Sequence, residues 1–90
     1  MKTNNSASLK AISSVSKVPE YGPAAIKRLM ARLDLNERGF AMLVNVTPLT
    51  VRLWTTGAAK PCGPSRRLME IFDTAPGVIE HITDKEKANC

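Results

Sequence analysis

The tightest constraint on this chain is a helix stop followed almost at once by a helix start. Phe40 and Val44 stand four residues apart and so share one helix face, with the small Ala41 beside them. Asn45 follows, a residue that tolerates the left-handed backbone of a tight turn. Val46 supplies an apolar plug. Thr47 can cap a new helix, and Pro48 can take its first position, where no backbone donor is needed. In that second helix Val51 and Trp54 lie three apart and face inward, and Gly57 gives a C-terminal stop. The pattern over Glu37–Trp54 predicts two short helices joined by a turn of three or four residues.

The flanks repeat the same grammar. Gly22-Pro23 opens an earlier helix, in which Ile26, Leu29, Met30 and Leu33 form one apolar stripe. That helix ends near Asp34. Leu35 bridges to Asn36, a cap for the next helix, and Glu37 sits at the positive end of that helix as a further capping group. After Gly57, a turn over Ala58–Gly63 leads to Gly63-Pro64 and a fourth helix with Leu68, Met69, Ile71 and Phe72 on its core face and Arg66 and Arg67 on the other side. Thr74 and Pro76 start a short fifth helix carrying Val78, Ile79 and Ile82. The expected fold is all-α: a compact five-helix domain over Tyr21–Ile82 with Phe40, Trp54 and Phe72 as its large anchors. Residues 1–20 read as a flexible or extended polar arm, with Lys2, Lys10 and Lys17. A strand over Lys10–Val15 is compatible with Ile12 and Val15 but is not predicted. Residues 83–90 form a charged tail with nothing to bury.

Ninety residues bound the chain to one domain and a modest core. The formal charge of +5 and a pI near 9.6 suit an anionic partner. No apolar run approaches a membrane span, and no apolar stretch at the N-terminus resembles a signal peptide. Cys62 and Cys90 are too few for a disulfide framework and too far apart for a metal pair, so a reducing cytoplasm with free thiols is expected. His81 lacks a partner at ligand spacing and reads as a helix-surface residue. With one His, no nucleophile–base pair and no glycine-rich phosphate loop, neither an enzyme nor a cofactor nor a metal is expected.

The residues from Phe40 to Gly57 resemble the helix-turn-helix of Xre-type, phage-repressor-like regulators and of the related antitoxin regulators. Phe40, Ala41, Val44, Val46, Val51, Trp54 and Gly57 match the family pattern, whereas Asn45 stands where the family has a turn glycine. The resemblance covers Tyr21–Ile82 and implies a sequence-specific DNA-binding regulator, an autorepressor of its own operon, whose second helix enters the major groove. Helical geometry puts Leu49, Arg52, Leu53 and Thr56 on one outward stripe. On it and at the helix start the resemblance puts the groove-reading residues, with base reading at Pro48, Leu49, Arg52 and Leu53 and with Thr47 beside them. Arg52 is the one long donor and can fork onto guanine O6 and N7, while Pro48, Leu49 and Leu53 can meet thymine methyls. Phosphate contacts fall to Thr47 and Thr50 at the helix N-terminus, to Arg38, and to the flanking Lys60, Arg66 and Arg67.

The family often carries Gln at the position of Glu37, where an acid would repel phosphate. Met30 and Thr55 stand where family members often pair an Arg with a Glu, so an apolar contact is expected to replace that ion pair. Val78, Ile79 and Ile82 are candidate dimer contacts, although they can equally pack under the core of one protomer. A dimer at least on DNA, bound to an inverted repeat, is expected. A second class of function remains open. Leu49, Leu53 and the arm could instead contact a protein, as in an antitoxin or phage accessory protein that neutralises a partner such as a toxin.

Overall fold

A computed structural model describes residues 14–83. Within them the chain forms α1 (Pro23–Leu33), α2 (Glu37–Val44), α3 (Pro48–Thr56) and α4 (Gly63–Thr74). A 3-10 turn at Pro76–Val78 then runs into the single-turn α5 (Ile79–Ile82). No strand occurs among the described residues, so the architecture is all-helical.

The start and stop signals act as their chemistry dictates. Gly22-Pro23 opens α1 with Pro23 in its first turn. Asn36 caps α2, its Oδ1 accepting from the Gly39 N–H at 2.8 Å. Asn45 ends α2 in the left-handed conformation, φ 67°. Asp34 ends α1 the same way, φ 58°, although no glycine or asparagine announces it. In both cases the next residue is apolar and folds back. The Leu35 N–H donates to the Met30 carbonyl and the Val46 N–H to the Ala41 carbonyl, each at 2.9 Å, and both side chains pack on the core. Gly57 closes α3 with φ 84°.

The core follows the helical periods. It comprises Ile26 and Leu29 from α1, Phe40, Ala41 and Val44 from α2, Val51 and Trp54 from α3, Met69 and Phe72 from α4, and Tyr21 ahead of α1. α2 packs against both α3 and α4, and α1 packs against α3. The face of α4 differs from the sequence expectation. Ser65, Met69 and Phe72 point inward at i, i+4 and i+7, which turns Leu68 and Ile71 toward solvent. Thr74 also moves: it ends α4, its hydroxyl donating to the Glu70 carbonyl at 2.8 Å, and the following turn starts at Pro76.

The residues before α1 are anchored along α4. Arg67 Nη2 donates to the Ser16 carbonyl at 2.8 Å, and Arg66 Nη1 donates to the Pro19 carbonyl at 3.4 Å and to Glu20 Oε2 at 3.3 Å. The Tyr21 hydroxyl donates to Asp73 Oδ2 at 3.1 Å, and Arg32 Nη1 pairs with the other carboxylate oxygen. The arm expected over residues 1–20 is thus tied down across Ser16–Tyr21. Its first 13 residues, including Lys2, Lys10 and the strand weighed over Lys10–Val15 up to Ser13, lie outside the described residues, as do 84–90 of the tail.

Burial, then the hydrogen bond to Asp73 and the nearby charges of Asp73 and Glu70, push the Tyr21 phenol up to about 12 from its ordinary 10.0. A neutral Tyr21 therefore stabilises the fold fully below pH 10, and that contribution is lost as the pH climbs through 12. Tyr21 is the chain's one tyrosine, so tyrosinate absorbance reads it directly. A native-state midpoint near 12 is expected, with stability falling between pH 10 and 12; a midpoint at 10 would remove the Asp73 contact.

Candidate nucleic-acid interface

The turn between α2 and α3 presents α3 with one face in the core and the other in water. Val51 and Trp54 fill the inner face. Leu49, Arg52, Leu53 and Thr56 fall on the outer stripe, and all four are exposed, Leu49 to 63%. Pro48 and Thr47 stand exposed at the start of the helix. The residues expected to read bases are thus brought onto one solvent-facing strip.

The N-terminus of α3 is closed by its own threonines. Thr47 Oγ1 accepts from the Thr50 N–H at 3.2 Å, and the two hydroxyls lie 3.0 Å apart. Thr47 is therefore a cap first; one of the two threonine hydroxyl protons bridges the pair, and the other is left for an external acceptor. Farther along, Thr55 and Thr56 hydroxyls turn back to the Arg52 carbonyl at 3.2 and 2.9 Å. Thr56 thereby satisfies its own helix, although it stands on the outer stripe.

Arg52 is not free. Its Nη2 donates to Glu37 Oε1 at 3.0 Å and its Nε to Glu37 Oε2 at 3.3 Å, a two-point contact that crosses from α3 to the first residue of α2. The Arg52 guanidinium is held above its ordinary pKa by this hydrogen bond and by the carboxylate's charge. This corrects the sequence reading of Glu37. Asn36 supplies the side-chain cap, and the Glu37 carboxylate serves Arg52 instead. The signal existed in the sequence only as two opposite charges 15 residues apart, with nothing local to join them.

The expected phosphate contacts divide. Arg38 and Lys60 are exposed and make no hydrogen bond or ion pair among the described residues. Arg66 and Arg67 are partly buried and engaged, Arg66 with Glu20 and Pro19, Arg67 with Glu70 Oε1 at 2.6 Å and with Ser16. Lys60 and Arg66 share a groove of about 450 Å³ with Glu20, Tyr21, Pro23 and Trp54. An anion meeting Arg66 there also meets the Glu20 carboxylate.

Met30 and Thr55, which stand where the family resemblance has an ion pair, line one shallow groove with Lys27, Ala31, Leu35 and Glu37. On the other side of α2, Met42, Leu43, Ile79 and Ile82 border an apolar groove of about 360 Å³. The three candidate dimer residues separate here. Val78 and Ile79 pack against the protomer's own core, whereas Ile82 is 57% exposed.

Cys62 is a free, exposed thiol at the start of α4, with its Sγ 3.4 Å from Ser65 Oγ. Hydrogen bonds from Ser65 hold that thiol below its ordinary pKa. His81 lies exposed on α5. No helix among the described residues is long and apolar enough to cross a membrane. Compared with known families and curated proteins, the chain matches no family model and no curated sequence.

Proposed function

We propose that this protein is a sequence-specific DNA-binding regulator of the Xre-type, phage-repressor-like kind, with α2–turn–α3 as its helix-turn-helix and α3 as the helix that enters the major groove. The observation that carries the reading is the outer face of α3, which stands exposed with Arg52 on it. A helix lying in the groove needs such a strip, because base edges are read by side chains on the face turned from the core. Leu49 and Leu53 suit thymine methyls, and Arg52 suits guanine. Arg38 and Lys60, which make no hydrogen bond or ion pair among the described residues, can meet phosphates without giving up a protein partner there. Arg66 and Arg67 already hold Glu20, Glu70 and two backbone carbonyls, so a phosphate at either one shares the guanidinium with those partners. The setting that fits is cytoplasmic autoregulation of an operon in a phage, mobile element or toxin–antitoxin pair.

Selection from a random DNA pool tests the reading directly. A recovered consensus supports it, and recovery of no preferred sequence rejects it. One such module covers few base pairs, so discrimination calls for two half-sites. The recovered site is expected to be an inverted repeat with centres about 10 base pairs apart or a multiple of that, occupied by two protomers. Light scattering of the complex with a footprint checks this, and one protomer on an asymmetric site would contradict it. Ile82, exposed beside Met42, is the remaining candidate for the protomer contact.

A second reading has its own observation. Leu49, Leu53 and Met42 are exposed apolar side chains on the same helix pair, Met42 to 77%. Such a surface also fits a protein partner, as in an antitoxin. A protein that captures a partner but enriches no DNA sequence would favour it.

A further inference from the structure

Resting on the DNA-binding reading above, we infer that Glu37 is a positioning residue that fixes the Arg52 guanidinium with its terminal edge free for guanine, and so sets the base preference of α3. A guanidinium carries five N–H donors on a rigid plane. Glu37 takes two of them: the Nε–H, with a nitrogen–oxygen distance of 3.3 Å, and one Nη2 hydrogen, at 3.0 Å. These two lie along one side of the fork. The second Nη2 hydrogen and both Nη1 hydrogens remain, and two of them run along the terminal edge. That edge bonds to nothing else among the described residues, and the Arg52 side chain is 65% exposed.

Two parallel donors on a terminal edge match guanine O6 and N7. Binding guanine therefore does not require the ion pair to break. The pair instead removes the freedom that a long exposed arginine would lose on binding. Glu37 is itself well placed to hold the fork. It is the first residue of α2, where the helix dipole favours a carboxylate, and the turn sets it beside Arg52 from the neighbouring helix. Its charge adds a second effect. A carboxylate beside the groove repels phosphate, so it weakens binding to every sequence while sharpening the choice among them.

The test measures equilibrium binding of the wild type, Glu37→Gln, Glu37→Ala, Arg52→Ala and the Glu37→Ala/Arg52→Ala double variant. Each is measured on the site selected by the wild type and on versions with each guanine replaced in turn. Glu37→Ala is expected to lower the preference for one guanine by roughly two- to five-fold, the range an exposed ion pair supports, and Glu37→Gln by less, since it keeps one acceptor. Both should bind non-cognate DNA more tightly than the wild type does. On the Arg52→Ala background, Glu37→Ala should change no base preference. Circular dichroism and melting temperature should match wild type, because a merely structural role for Glu37 would move these and leave the preference intact. An unchanged guanine preference in Glu37→Ala, with a wild type that discriminates, overturns this inference alone. A preference that rises in Glu37→Ala also overturns it, because Glu37 would then withhold Arg52 from DNA. A wild type with no sequence preference overturns the DNA-binding reading and this inference with it.

Discussion

Phe40→Ala is expected to destabilise the domain by about 3–5 kcal/mol, the range for truncating a fully buried aromatic. Phe40 is completely buried and is the largest of the fully buried side chains. It lies on α2, the helix that packs against both α3 and α4. Removing the ring leaves a void where those helices meet, and the neighbouring side chains can fill it only in part. A domain of this size has a total stability of only about 5–15 kcal/mol, so the loss is a large share of the whole. Trp54 is the chain's one tryptophan and is buried in the same core, so its emission reports the transition. Urea unfolding followed by Trp54 emission gives the measurement. Met42→Ala, on the exposed side of the same helix, is the control and should stay within about 0.5 kcal/mol of wild type. A Phe40→Ala protein destabilised by less than about 1 kcal/mol would show that α2 is not held by this ring.

Much of this fold was legible because its signals are local. Asn36, Asn45, Thr47-Pro48, Gly57 and the two Gly-Pro pairs each act within a turn of where they stand, and each does so in the structure. Phe40, Val44, Val51 and Trp54 declare their inward faces by spacing alone, because few residues intervene between them. α4 was less legible. With Leu68, Met69, Ile71 and Phe72 in near succession, apolar side chains spread over a wide arc of the helix. Which side turns inward is then decided by the neighbours. The small Ser65 fits against the core, and Leu68 and Ile71 are left outside. The left-handed end of α1 at Asp34 escaped for a related reason: the motif is completed by Leu35 folding back onto the core, a tertiary event.

The charged side chains were the least legible part of the candidate interface. Most of their partners are distant in sequence and depend on how α4 faces the chain before α1. Glu37 meets Arg52 across the turn, Arg66 meets Glu20, and Arg32 and Tyr21 both meet Asp73. Residue type alone gave Arg38, Lys60, Arg66 and Arg67 the same standing as cations that could meet phosphate. Their partners divide them into two that are unengaged among the described residues and two that hold the chain ahead of α1 in place. A count of basic residues thus overstates the cations open to an external anion, since several of them are paired internally.

Arg52→Ala is expected to cost the protein its discrimination at one base pair, by about 5- to 150-fold, the range that a two-point arginine–guanine contact supports. Arg52 is the one long donor on the outer stripe of α3; Leu49 and Leu53 beside it offer only apolar contact. Its removal should therefore flatten the preference at the guanine and leave the thymine positions as they were. Folding should be unaffected, because the ion pair with Glu37 lies on the surface, where such pairs contribute little. Arg38→Ala and Lys60→Ala provide the contrast. They should weaken all sequences about equally and reduce the slope of log K against log salt by about one for each phosphate that is no longer neutralised. Competition between the selected site and its single-base variants, repeated across a salt series, separates the two behaviours. An Arg52→Ala protein with the wild-type preference at every position would remove Arg52 from base reading. Leu49 and Leu53 would then be left as the readers, on a face with no side chain able to distinguish guanine by a forked pair of hydrogen bonds.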